Sequence, residues 1–184
     1  MSMTDQIPAQ TRRAAVLLPE TPGYVGMVDV QTALTQLDDL QGKSWSDSLR
    51  QVDSPRLQAF LDATGLDPKR DVQAAYGSID GTETASAVFF ANLTPAQLDR
   101  YLERDPAQNG RRTTYRDVPV YYLPFGTEDT LSVGFVGDGM LAVSTVAAQV
   151  QAMVDRHRGN GPAGLESNSA YMTLVERVGH GSTA

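Results

Sequence analysis

Along the chain, apolar positions follow two rhythms, one of period two and one close to that of a helix, and the switches between them mark the elements. Residues 24–30, YVGMVDV, are β-branched and aromatic and follow the turn punctuation Thr21-Pro22-Gly23, which predicts a strand. QTALTQLDDLQG then sets Leu34, Leu37 and Leu40 at helical spacing, with Gly42 as a stop. Residues 43–53 are polar apart from Trp45 and Leu49 and read as a loop or a short, weak helix.

DSPRLQAFLDATG and LTPAQLDRYLERD share one grammar. A hydroxyl cap (Ser54, Thr94) precedes a proline at the first helical position (Pro55, Pro95). The cap satisfies free amide groups and the proline presets the backbone, so each stretch predicts a helix. Leu57, Phe60 and Leu61 share the inward face of the first, which stops at Gly65; Leu98, Tyr101 and Leu102 share that of the second.

Three hairpins are predicted. Residues 72–79 and 84–93 join around Asp80-Gly81, residues 112–123 turn at Arg116-Asp117, and LSVGFVGDGMLAVST forms the third. Pro119 cannot donate to a ladder, which puts its strand at a sheet edge or a bulge. Val146, Val150, Met153 and Val154 then outline an amphipathic helix, and Tyr171, Leu174, Val175 and Val178 a last one. Hairpins joined by short turns imply antiparallel pairing. The expected class is α+β: a mainly antiparallel sheet built from hairpins, with helices packed on one face. A single domain is expected over residues 21–179, alone or as one unit of a longer protein, with a flexible segment at 1–20 and a tail at 180–184.

The run GFVGDG invites comparison with a phosphate-binding loop. Such a loop follows a strand and opens a helix, whereas MLAVST after these glycines is another strand. Gly134, Gly137 and Gly139 also read G-x-x-G-x-G, the wrong spacing. A three-residue loop, Gly137-Asp138-Gly139, would set Phe135 opposite Leu141 and Val133 opposite Val143, on one apolar face. A two-residue turn would split that set, so burial selects the first register.

Composition narrows the chemistry. The 184 residues carry 22 acidic and 15 basic side chains, a net charge of −7, which disfavours a phosphate backbone and hence nucleic acid. There is no cysteine, so thiol nucleophiles, disulfides and thiolate zinc sites are excluded. Of the two histidines, His157 falls in the last turn of its helix, where a donor meets free carbonyls, and His180 lies near the end; neither has triad partners at a motif spacing. Asp67 and Asp71 bracket LDPKRD, where Asp67 reads as the cap of a short turn beginning at Pro68. No cofactor and no metal site are expected.

The richest surface signal is NGRRTTYRDVPVYYLPFG. Arg111, Arg112, Tyr115, Arg116, Tyr121, Tyr122 and Phe125 form a candidate aromatic-plus-arginine patch for a ligand or partner, with Trp45 as a second anchor. Tyr121 and Tyr122 must face opposite ways along a strand, one into the core. The same residues also fit an edge hairpin whose arginines deter sheet-to-sheet pairing.

The opening LLPETPGYVGMVDV, followed by FLDATGLDPKRDVQAAYG, resembles bacterial extracytoplasmic proteins, signal- or lipid-anchored, that are grouped as a domain of unknown function. The likeness runs from Leu18 to Gly77 and more loosely through ANLTPAQLDRYL. It implies export and repeated α+β units, and it transfers no catalytic residue. The compartment is then periplasmic or cell-envelope if a signal was removed and cytoplasmic otherwise, with membrane contact only through an anchor outside this chain. The function expected is a non-catalytic, envelope-associated domain binding a protein, a glycan or a small ligand. A hydrolase using dispersed carboxylates and a structural unit of a larger assembly are the alternatives.

Overall fold

The structure, a computed structural model, describes residues 3–20, 22–41, 55–79, 84–104, 110–125 and 129–180. Trp45, the Ser54 cap, the Asp80-Gly81 turn and residues 181–184 lie outside them, as do the side chains of Leu37, Leu40, Phe125, Val178 and His180.

Among the described residues, seven strands form one sheet: β1 (Tyr24–Asp29), β2 (Val72–Ile79), β3 (Ala85–Ala91), β4 (Arg111–Tyr115), β5 (Val118–Phe125), β6 (Asp129–Gly137) and β7 (Met140–Ser144). Their order is β1-β2-β3-β7-β6-β5-β4, and every neighbouring pair is antiparallel. The helices are α1 (Met3–Leu17), α2 (Val30–Gln41), α3 (Pro55–Thr64), the single turn α4 (Pro68–Asp71), α5 (Pro95–Arg104), α6 (Ala147–His157) and α7 (Ser169–His180). The α+β class and the hairpin-built antiparallel sheet are therefore as the pattern predicts.

The caps and turns follow their residues. Thr94 donates from its amide (2.9 Å) and hydroxyl (2.8 Å) to Gln97 Oε1 at the start of α5. Asp67 caps α4 by accepting from Lys69 N at 3.1 Å, and Pro68 is first inside. Arg116 and Asp117 both have positive φ at the tip of the β4–β5 hairpin, as a two-residue turn of the right twist demands. No helix opens after the glycines at 134–139. Asp138 and Gly139 form a two-residue turn, shorter than expected, yet Phe135 still pairs with Leu141 and Val133 with Val143. A bulge between Phe135 and Gly137 takes up the extra residue and restores the register that burial requires.

Helices cover both faces of the sheet, not one. On the first face, Val88 and Phe90 of β3, Val118 and Val120 of β5 and Ala142 of β7 pack under α1 and α6. On the second, Ala91, Tyr121, Leu123, Val133 and Leu141 pack under α3 and α5. Both parities of β3 and β5 are apolar because both are buried. Residues 1–20, expected to be flexible, contribute α1, whose Ala14, Ala15 and Leu17 are fully buried together with Leu18. Arg156 fastens this helix by donating from Nη1 to Leu17 O at 2.9 Å. Gly134 lets α6 come close, since a Cβ there would stand 2.9 Å from Val150.

Three smaller expectations are corrected. β5 is the second strand from the edge, and β4 is the edge; Pro119 falls just outside the β5–β6 ladder, which starts at Val120 opposite Gly134. Val146 precedes α6 as its N-cap and is exposed. Leu174 of α7 points to solvent, while Tyr171 and Val175 are half-buried.

Candidate functional site

The β4–β5 hairpin does not assemble its aromatic and basic residues into one patch. Strand alternation sends them to opposite faces of the sheet, and a carboxylate from a helix engages them on each. On the second face the buried Tyr121 hydroxyl lies 2.9 Å from Asp99 Oδ1 and 3.0 Å from Pro95 O in α5, two acceptors that share its one proton. Arg112 reaches the other oxygen of Asp99 at 2.8 Å, with its guanidinium 5.7 Å above the Tyr121 ring. Burial, reinforced by the Asp99 carboxylate, pushes the Tyr121 phenol well above its ordinary pKa, so it stays a neutral donor.

On the first face, Tyr115 donates to Asp155 Oδ2 in α6 at 3.0 Å. Arg116 Nε lies 2.7 Å from Asp155 Oδ1, an ion-pair contact without hydrogen-bond alignment. Tyr122 is half-buried, and Arg111 is stacked 4.5 Å above its ring. Of the seven hairpin candidates, Arg112 and Tyr121 thus serve one staple and Tyr115 and Arg116 another, while Arg111 and Tyr122 stack by themselves. Phe125 lies in β5 with its side chain outside the described residues, and so does Trp45 as a whole. Asp99 and Asp155, the acceptors that organise the hairpin, carry no motif and are recognisable only once α5 and α6 are placed.

A different surface has the character of a binding site. Between α3, α5 and the second face lies a cavity of about 420 Å³, within the range that small-molecule sites occupy. Its floor is the buried Leu123, Val133 and Leu141, and its walls include Leu98 and the half-buried Phe60 and Phe89. The local sequence explains the shape. The Pro55 and Pro95 helix starts aim the apolar stripes of α3 and α5 at the sheet, and Phe60 meets Tyr101 edge to face at 5.3 Å, closing the helix pair over β5 and β6. Among the described residues no charged side chain lines the cavity.

Beyond Phe89, Leu131 and Val143 the cavity continues into a broad, shallow trough across β1, β2 and β3. The trough is floored by small residues, Gly26, Ala75, Gly77 and Ala87. Tyr24, Val28 and Ile79 stand along it with half or more of their surface in solvent for the first two. A mostly apolar chamber that opens onto a mostly apolar trough can hold hydrocarbon, and among the described residues no carboxylate, histidine or amine lines either.

The pair Asp67 and Asp71 forms a turn. Asp71 accepts from Arg70 through both oxygens (3.0 Å each) and from Asp67 N (2.9 Å). Those hydrogen bonds from Arg70 hold its carboxyl below the usual range. Among the described residues no group of three or more His, Asp or Glu is placed to hold a metal ion, and no helix is long and apolar enough to cross a membrane. No protein-family model, curated protein or solved structure matches the chain.

Proposed function

We propose that this protein is a non-catalytic binding domain that takes up a hydrocarbon-rich small molecule, of the acyl or alkyl-chain class, in the cavity between α3, α5 and the sheet. The observation that carries this reading is the lining: among the described residues it comprises fifteen, of which Tyr101 alone has a polar side chain. Such a chamber rewards hydrophobic transfer and penalises a buried charge, so a charged headgroup would remain at the mouth. Among the described residues no carboxylate lines the chamber, which favours binding over a hydrolase centred here. The reading keeps the binding-domain class that the sequence suggests and moves the surface from the β4–β5 hairpin to the second face.

A series of linear carboxylates of increasing length, titrated by calorimetry, tests it. Each buried methylene contributes about 0.8 kcal/mol, so affinity should rise about fourfold per carbon until the chamber is full and then level off. Ala91→Trp, which projects an indole into the chamber, should weaken the series and bring its plateau at a shorter chain, while the protein stays folded by circular dichroism. Affinity independent of chain length, or unaffected by Ala91→Trp, would refute the reading.

A further inference from the structure

We propose that the outer edge of β1 is an interface at which two copies of this chain join their sheets, antiparallel and about a twofold axis. β1 ends the sheet, pairs only with β2, and among the described residues no strand lies beyond it. Its exposed side chains are apolar on both faces: Tyr24 (66 % exposed) and Val28 (50 %) on the second, Met27 (45 %) on the first. Ile79, opposite Tyr24, adds a further 45 % exposed residue. The strand's one charge, Asp29, stands at its end. An edge of this kind has none of the usual guards against pairing, such as lysine, proline or an inward charge.

Symmetry then favours a second copy of the chain as occupant. A twofold axis that makes two identical strands antiparallel stands perpendicular to the sheet, so residues on the same face must meet. The register centred on the strand sets Gly26 opposite Gly26, Val25 opposite Met27 and Tyr24 opposite Val28. It thus forms aromatic–β-branched pairs on the second face and aliphatic pairs on the first, with no two charges opposed. Asp29 falls opposite Gly23. The two troughs of the second face would become continuous across the axis. A six-residue edge makes a small interface, so association should be reversible and concentration-dependent. With −7 on each chain, salt should strengthen it.

Sedimentation velocity on the full chain at rising concentration, at low and high salt, provides the test. The wild type should pass from monomer to dimer, more readily at high salt. Val28→Lys, placed twice in a symmetric contact, should raise the dissociation constant at least about tenfold. Tyr24→Arg, at a more exposed position, should do the same and guards against a folding defect in the first variant. Thr113→Lys on β4 should leave the equilibrium unchanged. Because the chain has no cysteine, Gly26→Cys should give a single disulfide-linked dimer on mild oxidation, and Thr113→Cys should not. A wild type that stays monomeric throughout would overturn the proposal. So would a dimer indifferent to both β1 charges, or one that cross-links through position 113 in place of 26.

Discussion

At one end of the sheet, β4 turns Arg111, Arg112, Thr113 and Thr114 to solvent, and its hairpin is tied to α5 through Asp99 and to α6 through Asp155. At the other, β1 turns Tyr24, Met27 and Val28 to solvent, and its described polar contacts are few: Thr11 Oγ1 donates to Met27 Sδ at 3.7 Å, and Asp29 caps the start of α2. Both ends are rich in large side chains. The difference is whether helix carboxylates take up the polar atoms. Tyrosine and arginine held by Asp99 and Asp155 brace a hairpin, whereas tyrosine and valine left beside glycine and alanine make a surface that water wets poorly. Aromatic-plus-arginine composition is therefore a weak guide to a binding site until its hydrogen bonds have been traced.

The contrast can be broken most severely at the braced end. Asp99→Ala removes the acceptor of both Tyr121 and Arg112 and leaves a buried phenol with Pro95 O alone. Denaturant unfolding should show a loss of about 2–3 kcal/mol, with the slope unchanged.

An acid titration probes the β2 end, where α4 leads into the strand beside β1. The folded pKa of Asp71 is depressed by its hydrogen bonds from Arg70, so the carboxylate contributes stability that is fully present above the unfolded value of about 4 and is lost as pH falls through the lower folded value. The urea midpoint of the wild type should fall over that window. Asp71→Asn should flatten this part of the profile and be less stable at neutral pH.

Ser78 sharpens the comparison in the opposite direction. It sits on β2 opposite Val25, buried, with a hydroxyl that finds no hydrogen-bond partner among the described residues. Ser78→Ala removes a desolvated group and should stabilise the protein by about 1 kcal/mol in the same unfolding assay. The smallest effect belongs to the open edge itself. Tyr24→Ser, measured at dilution where the monomer prevails, should change stability by less than about 0.5 kcal/mol. A larger loss would mean that Tyr24 supports the fold.

Local chemistry was legible in the sequence wherever it acts over a few residues. Thr94-Pro95 and Asp67-Pro68 start α5 and α4, Arg116-Asp117 turns its hairpin, and burial sets Phe135 opposite Leu141, although the loop expected over Gly137-Asp138-Gly139 is the shorter turn Asp138-Gly139. Two features of wider reach escaped. The Val136 bulge was hidden because burial fixes which side chains face inward and leaves open how the backbone absorbs the odd residue. The second helical layer is less plain: AVFFA and VPVYYL signal strands, and only their apolar residues on both parities point to a sheet covered on both sides. α1 is hard to read for a related reason: its described buried residues, Thr11, Ala14, Ala15 and Leu17, include two alanines and a threonine, which give little amphipathic contrast. The cavity depends on how α3 and α5 straddle β5 and β6, a long-range arrangement that no short stretch encodes.

The central claim is that binding belongs to the apolar second face and not to the arginine–tyrosine hairpin. Backbone amide chemical-shift mapping with a saturating medium-chain carboxylate tests this most directly. The account predicts perturbations concentrated at Phe89, Ala91, Leu123, Val133 and Leu141, with Arg111 to Tyr115 silent. Perturbations centred on Arg111, Arg112 and Tyr115, with the cavity residues unmoved, would contradict it.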